Sequence, residues 1–262
     1  MEKAIRLRIV GTLAVAAALT LAAGPVMATA ASPQGPAPYT CVGGEIPSGT
    51  YASITVTGMC SVAPDAVISV VGNVNVAAGA MLDAQSAPST ITVGRNVTGA
   101  AGSLVGLGCQ PPSATGNSAH ECVADPDGIS TITIHGNVTI TDADTVLLNG
   151  IMVDGNVTLT GGGSFIPWSI KNNTIGRNLT VSDVTAEWVG VLFNKVSGNA
   201  TLTDITVTEN HPEASQAVFV VRNTIGRNLN CTGLGPNVSG GFFPGSVNVV
   251  GGNATGQCAA LV

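Results

Sequence analysis

The chain has 262 residues, of which 9% are charged, and its nine basic and fifteen acidic side chains give a formal net charge of −6. The part after residue 30 contains no Lys/Arg-rich run, which excludes recognition of nucleic acid through a basic patch. Gly, Thr, Asn and Val are abundant, and this composition favours turns and β-strands over long helices.

The first thirty residues have the pattern of a secretory signal peptide. A basic start with Lys3 and Arg8 precedes an apolar run over residues 9–23, and residues 28–30 (Ala-Thr-Ala) form a small-x-small cleavage site. No later apolar segment reaches the length needed to span a bilayer. We therefore expect a secreted, extracellular protein without a membrane span after cleavage.

Six cysteines follow this leader, and an even number in an exported chain predicts three disulfides. Neighbours along the chain give the pairs Cys41 with Cys60, Cys109 with Cys122, and Cys231 with Cys258. Other pairings remain open, because proximity alone does not determine connectivity. A zinc site that includes His120 and Cys122 is the competing interpretation.

A seven-residue unit such as "IHGNVTI" (Ile134–Ile140) recurs along the chain with Asn at its centre. The repeat positions are Asn73, Asn96, Asn137, Asn156, Asn178, Asn199, Asn228 and Asn253. Val or Ile always stands three residues before this Asn, an apolar residue follows it, and Thr comes next in six copies. Such alternation predicts two short strands per copy, with the apolar side chains inside and Thr outside.

A third apolar segment follows in most copies, for example Thr145–Ile151. Three short strands per repeat of about 20 residues predict an all-β, right-handed parallel β-helix solenoid whose coils stack about 4.8 Å apart. We assign residues 31–66 to an N-terminal cap with the Cys41–Cys60 bridge and residues 67–262 to the β-helix. Residues 106–128 form a disulfide-closed loop insertion. An end that stays uncovered would favour self-association.

Stacked Asn side chains are expected to pair with one another, because a buried amide needs hydrogen-bond partners. A second file, five residues before the repeat Asn, changes character half-way along the chain. Its members are Ile68, Ile91, Ile132, Ile151, Asn173, Asn194, Asn223 and Asn248. We expect two amide ladders at the corners of the coils.

Segments of the chain resemble known repeat proteins. "VVGNVNVAAGAML" (Val70–Leu82) is similar to the unit of polymer-forming, bactofilin-like repeats. "NTIGRNLNCTG" (Asn223–Gly233) and "NVVGGNATGQC" (Asn248–Cys258) resemble the closing coils of secreted bacterial right-handed parallel β-helix proteins. The resemblance covers about residues 65–258 and implies the fold, whereas filament formation is not implied because bactofilins are cytoplasmic and lack the leader and the cysteines.

Two sets of residues could carry chemistry. Asp142, Asp183 and Asp204 all stand five residues after a repeat Asn, so Asp183 and Asp204 would lie on adjacent coils. They could bind Ca²⁺ through hard oxygen ligands, act as a carboxylate pair in glycoside cleavage, or serve as exposed turn residues. Trp168 and Trp188, about one coil apart, could form a platform for sugar rings or fill the core.

The sequence favours a non-catalytic secreted β-helix, a structural, adhesive or polysaccharide-binding module of the cell surface or extracellular matrix. The alternative is a small carbohydrate-active enzyme, a polysaccharide lyase or glycoside hydrolase, that uses the aspartate face. No motif for nucleophilic catalysis or phosphate binding is present in the sequence, and no cofactor other than Ca²⁺ is implied.

Overall fold

The computed structural model describes residues 35–208, 216–241 and 247–262. In these ranges the strands form three parallel sheets of ten, nine and nine strands, named A, B and C below. Successive strands enter the three sheets in turn, so each coil adds one strand to every sheet. The chain is therefore a parallel β-helix solenoid, as predicted. The leader predicted at residues 1–30 lies outside the described residues.

Sheet A consists of Tyr39–Cys41, Ile54–Val56, Val74–Val76, Val97–Gly99, Val138–Thr141, Val157–Thr160, Leu179–Ala186, Ala200–Val207, Leu229–Gly235 and Ala254–Gly256. Sheet B consists of Gly44–Ile46, Met59–Val62, Met81–Ala84, Leu104–Leu107, Thr145–Asn149, Trp168–Lys171, Val189–Leu192, Val218–Val221 and Val238–Ser239. Sheet C consists of Gly49–Tyr51, Ala66–Val70, Ser89–Val93, Thr131–Ile134, Met152–Val153, Thr174–Ile175, Lys195–Val196, Thr224–Ile225 and Val249–Val250. Short helical turns occur at Pro112–Thr115, Gly116–Ser118 and Gln257–Ala260, and no described helix is long and apolar enough to cross a membrane.

The coils begin earlier than the sequence predicts. Residues 39–51 already place one strand in each sheet, although the repeat pattern assigned residues 31–66 to a separate cap. Ile54 pairs with Val74 in sheet A, which puts Ser53 at the position of the repeat Asn. An alignment on Asn misses this coil because its corner carries Ser, and the start of the solenoid therefore moves to residue 39.

Aliphatic side chains fill the bore of the solenoid. The file three residues before the repeat Asn stacks coil on coil, as Val153 pairs with Ile175 and Ile175 with Val196. Val153, Ile175 and Val196 are at most 2% exposed. Full burial of one such side chain contributes about 1.5–3 kcal/mol, so the stacked aliphatic files are the main favourable term for this fold.

The repeat Asn residues form an outer ladder at the corner between sheets C and A. Each donates its backbone N–H to the side-chain Oδ1 of the Asn one coil earlier, at 2.9 Å from Asn137 to Asn96 and at 2.8 Å from Asn156 to Asn137. The ladder starts at Asn73 and ends at Asn253. Its members are partly or fully exposed, so water can reach this ladder.

An inner ladder runs through the bore at the corner between sheets B and C. Its members are at most 2% exposed: Asn173, Asn194, Asn223 and Asn248. Asn194 Nδ2 donates to Ile170 O at 2.8 Å, and Asn194 Oδ1 accepts the backbone N–H of Asn173 at 3.1 Å. The backbone N–H groups of the inner ladder are accepted by an Asn Oδ1 on the following coil, whereas those of the outer ladder are accepted by an Asn Oδ1 on the preceding coil.

The length of the corner explains why this file changes from Ile to Asn. In the second and third coils three or four residues join sheet B to sheet C, at 63–65 and 85–88. Later corners have two residues, of which the first has positive φ, at Gly150, Asn172, Phe193 and Arg222. The N–H of the second corner residue turns into the bore, and Oδ1 on the next coil accepts it, as Asn173 does for Ile151 at 3.0 Å. An Asn is therefore required only after a tight corner.

Glycine in the C-to-A corners is required by close stacking rather than by a left-handed backbone. A Cβ at Gly155 would lie 2.4 Å from Gly136 O, and one at Gly226 would lie 2.4 Å from Ser197 O. Neither Gly155 nor Gly226 has a positive φ. Their role is therefore to let one coil sit directly on the next.

The three predicted disulfides are confirmed: Cys41–Cys60, Cys109–Cys122 and Cys231–Cys258. The first links the opening coil to the second, and the third links the sheet A strand Leu229–Gly235 to the helical turn Gln257–Ala260. Leu261 O accepts the N–H of Asn248 at 2.8 Å, which terminates the inner ladder. The C-terminal end of the bore is thereby covered.

Candidate functional site

Asp142 directly follows a strand of sheet A, whereas Asp183 and Asp204 lie within the strands Leu179–Ala186 and Ala200–Val207. All three have a left-handed backbone. Asp142, Asp183 and Asp204 have φ values of 51°, 59° and 51°, and all three are exposed. The pairing of their neighbours places Asp183 and Asp204 on adjacent coils at the same register position. Gly161 takes this position on the coil that separates Asp142 from Asp183.

The conformation of this file gives the aspartates a backbone role. Asp, Asn and Gly are the residues that most readily adopt left-handed φ. Asp142 Oδ1 lies over the next coil, so close to Gly161 that a Cβ there would be 2.0 Å from it. Among the described residues, no three His, Cys, Asp or Glu side chains are grouped in a way that could hold a metal ion. Calcium at Asp183 and Asp204, like carboxylate catalysis, stays a prediction.

The two tryptophans occupy opposite sides of sheet B. Trp168 is 0% exposed and belongs to the core, with its ring N–H donating to Asp144 O at 3.0 Å. Trp188 lies outside the bore, where its ring covers Gly190 and stacks on Phe219 with a centroid distance of 5.6 Å and an interplanar angle of 28°.

Of the two interpretations, a platform shared by both tryptophans is therefore excluded, because Trp168 fills the core. Trp168 pairs with Val189 in sheet B, one residue beyond Trp188. Because successive strand residues point to opposite faces, a shift of one residue moves a side chain from the surface to the core. Trp188 with Phe219 is the aromatic pair that this face carries.

The loop predicted at residues 106–128 folds against the outer face of sheet B. Its disulfide joins Cys109 to Cys122, and an antiparallel bridge pairs Gln110 with His120. Because Cys122 is in a disulfide, the competing zinc interpretation of His120 and Cys122 is wrong. The strand Leu104–Leu107 continues into the predicted start of the loop.

The loop is held by hydrogen bonds from the last residue of the sheet B strand Trp168–Lys171 and from the residue that follows it. Lys171 Nζ donates to Ala119 O at 2.7 Å, and Asn172 Nδ2 donates to Ser118 O at 2.9 Å. Burial lowers the pKa of Lys171. Burial also lowers the pKa of His120, with a smaller contribution in the same direction from the charge of Lys171. Both side chains therefore lie in a partly desolvated layer between the loop and the solenoid.

A groove of about 270 Å³ lies between this loop and the outer face of sheet C. Gln110 and Ile129 form its loop side, and Thr131, Met152 and Thr174 form part of its sheet side. Pockets for drug-sized ligands have volumes of about 300–1,000 Å³. The groove is therefore suited to a single small group rather than to a large ligand.

The outer face of sheet A carries one polar, uncharged side chain per coil in an unbroken file. In register order this Thr file comprises Thr40, Thr55, Asn75, Thr98, Thr139, Thr158, Thr180, Thr201, Asn230 and Thr255. All ten residues are at least partly exposed. With coils about 4.8 Å apart, nine steps extend the file over roughly 43 Å.

Most hydroxyls in the centre of the Thr file are available to an external partner. Thr98 Oγ1 donates to a neighbouring Asn at 2.9 Å. Within the described ranges, the hydroxyls of Thr139, Thr158, Thr180 and Thr201 have no protein partner. The sequence analysis places Thr on the outside but does not treat the column as a site. The signal is present in the repeat, since Thr occupies this position in six of the eight copies.

Comparison with known proteins finds no matching family model, no significantly similar curated protein and no significantly similar solved structure. Function must therefore be inferred from the residues that the solenoid presents.

Proposed function

We propose that this chain is a non-catalytic exported β-helix that binds an extended, hydroxyl-rich polymer, a polysaccharide of the cell surface or extracellular matrix. The Thr file of sheet A is the observation that carries the proposal. It presents hydroxyl or amide groups at one interval along the whole solenoid, without a charge and without a deep pocket. This arrangement suits a ligand that itself repeats along a line.

The affinity of such a contact depends on the number of hydrogen bonds that form together rather than on any single hydrogen bond. One exposed hydrogen bond contributes only about 0.5–1.5 kcal/mol net. Several linked contacts add, because after the first one forms the others become intramolecular. Rigidity of the scaffold favours this mode of binding, since the stacked sheets and three disulfides hold the hydroxyls in place without an ordering cost.

An extracellular location fits the same proposal. The predicted leader directs export, and disulfides persist mainly in oxidising compartments. The resemblance of the closing coils to secreted bacterial β-helix proteins also supports a role at the cell surface.

Isosteric removal of hydroxyls tests the proposal. A triple variant with Thr158→Val, Thr180→Val and Thr201→Val keeps shape and strand propensity but removes three central hydroxyls of the Thr file. We expect the wild type to co-sediment with at least one insoluble polysaccharide in a panel of neutral and acidic polymers, and the triple variant to bind about tenfold more weakly.

Three threonines on sheet C supply a matched control: Thr133→Val, Thr174→Val and Thr224→Val in one chain. This control should bind like the wild type, because it removes the same number of hydroxyls from a different face. Equal binding by wild type and the sheet A variant would contradict the proposal. Release of reducing ends or unsaturated products from the polymer would instead support the enzyme alternative and its aspartate face.

A further inference from the structure

The corner between sheets C and A contains a notch between two arginines. It has a volume of about 200 Å³ and is lined by Gly176, Arg177, Asn178, Ser197, Gly198 and Arg227. Arg177 and Arg227 are both exposed. Each stands three residues before a member of the Thr file, Thr180 or Asn230, so the notch lies beside the face that the proposed function assigns to the polymer.

The notch exists because of the coil between the arginines. Gly198 N donates to Arg177 O at 2.8 Å, and Arg227 N donates to Gly198 O at 3.1 Å, so the three residues are stacked on successive coils. A Cβ at Gly198 would lie 2.4 Å from Asn178 Oδ1. No side chain can therefore fill the gap, which separates the two arginine backbones by about 10 Å, or two coil spacings.

No described carboxylate neutralises these arginines. Within the described residues the one close contact between a basic and an acidic side chain joins His135 Nδ1 to Asp154 Oδ2, at 2.7 Å. Asp154 lies at the same corner, in the file next to that of the arginines, and its carboxylate contacts His135 on the coil before it. Lys195, exposed on sheet C at the intermediate coil, adds a third positive charge nearby.

We infer that the notch between Arg177 and Arg227 binds an oxyanion carried by the polymer that lies along the Thr file, so that the ligand is an anionic rather than a neutral surface polymer. This inference rests on the proposed function and specifies its ligand class. Two guanidinium forks that line one notch can hold a carboxylate or phosphate oxygen pair through charge-assisted hydrogen bonds. Carboxylate on an acidic sugar and phosphate in a polyol-phosphate chain share this chemistry.

The experiment is calorimetric titration of the exported chain with three soluble polymers of matched length: a polyuronate, a poly(glycerol phosphate) and neutral dextran. The variants are Arg177→Gln and Arg227→Gln, with Arg95→Gln as the control. Arg95 occupies the same Gly-Arg-Asn corner pattern, but its nearest arginine in the file is three coils away. Loss of general electrostatic attraction is therefore the same in all three variants.

We expect one of the two anionic polymers to bind at least about tenfold more tightly than dextran, and Arg177→Gln and Arg227→Gln each to remove about tenfold of that affinity. Arg95→Gln should retain it, and the polymer that responds identifies carboxylate or phosphate as the bound group. An equal loss in Arg95→Gln, or no preference of the wild type for an anionic polymer, overturns the inference.

The proposed function is tested separately in the same titrations. The wild type could bind dextran through the threonines of sheet A while Arg177→Gln and Arg227→Gln leave the affinity unchanged. That result would refute the oxyanion site and still support the polymer-binding face. A wild type that binds none of the three polymers would overturn both.

Discussion

Replacement of Asn194 by Ala tests the inner amide ladder. The side chain is 0% exposed and makes four hydrogen bonds. Nδ2 donates to Ile170 O at 2.8 Å and to Asn223 Oδ1 at 3.0 Å. Oδ1 accepts the backbone N–H of Asn173 at 3.1 Å and its Nδ2 at 3.0 Å. Truncation to Ala removes all four at once.

The groups that lose their bond to Asn194 are affected to different extents. Asn173 Nδ2 keeps its bond to Leu148 O, and Asn223 Oδ1 keeps the N–H of residue 194. The backbone N–H of Asn173 has no other acceptor in the described structure, and such a buried orphan costs about 1–3 kcal/mol. Because two of the other partners keep a bond, the three remaining lost bonds together cost about 1 kcal/mol, and the cavity left by the amide costs about 1 kcal/mol. We expect the free energy of unfolding to fall by about 3–5 kcal/mol.

Asn199→Ala is the matched control, because Asn199 holds the corresponding place in the outer ladder. Its Oδ1 accepts the N–H of Asn228 at 3.2 Å, but this ladder is reached by water. Solvent can replace the lost bond, so we expect a cost of about 1 kcal/mol.

Equilibrium unfolding in guanidinium, followed by circular dichroism with the disulfides intact, measures both costs. Because a solenoid can unfold in parts, hydrogen exchange at the Asn173 amide provides a local readout. Exchange should accelerate in Asn194→Ala and not in Asn199→Ala. Equal losses of stability in the two variants, or an unchanged Asn173 amide, would refute the assignment of the inner ladder as the acceptor of the inward N–H groups.

Three further predictions concern the turns and the loop. Gly161→Ala should cost about 2 kcal/mol in chemical unfolding, because φ is +72° and the new Cβ meets Asp142. Adding Asp142→Gly, which removes the carboxylate and tolerates the φ of 51° at that position, should restore part of the loss, and no recovery would refute the contact. The pKa of His120 is lowered from 6.5 in the folded chain, so the unfolded chain binds a proton at this residue more readily. The free energy of unfolding should therefore fall as the pH drops below 6.5 and stay constant above it. Between about pH 8 and about pH 5, the free energy of unfolding should depend less on pH in His120→Gln than in the wild type. Replacing Cys109 and Cys122 by Ser should cost about 3 kcal/mol by the chain-entropy estimate and expose the loop to limited proteolysis, and unchanged protection would mean that the docking contacts suffice.

Most of the fold could be predicted because a solenoid repeats its constraints. The aliphatic column before each repeat Asn appears eight times in the sequence, and each copy must sit on the next. Disulfide pairing followed chain proximity because coils that adjoin in sequence also adjoin in space, as Cys231 and Cys258 illustrate across two neighbouring coils. The first coil was missed where Ser53 replaced the marker residue.

The repeat pattern did not predict the features that depend on strand register or on the length of the corners. The inward orientation of Trp168 depends on a pairing with Val189 rather than with Trp188, a difference of one residue that composition does not reveal. The switch from Ile151 to Asn173 was visible, but its cause was not. It follows from corner length, which becomes known only when the ends of the strands in sheets B and C are known.

The same regularity decides where a ligand can bind. Identical coils place identical groups in lines, so the face of sheet A offers an extended contact. A specific site can arise only where one coil differs from its neighbours. The Arg177–Gly198–Arg227 stack is such a difference, because only there in this corner file do two arginines flank a single glycine coil. The Thr file would then supply contact along the polymer, and the interrupted corner would determine which polymer is bound.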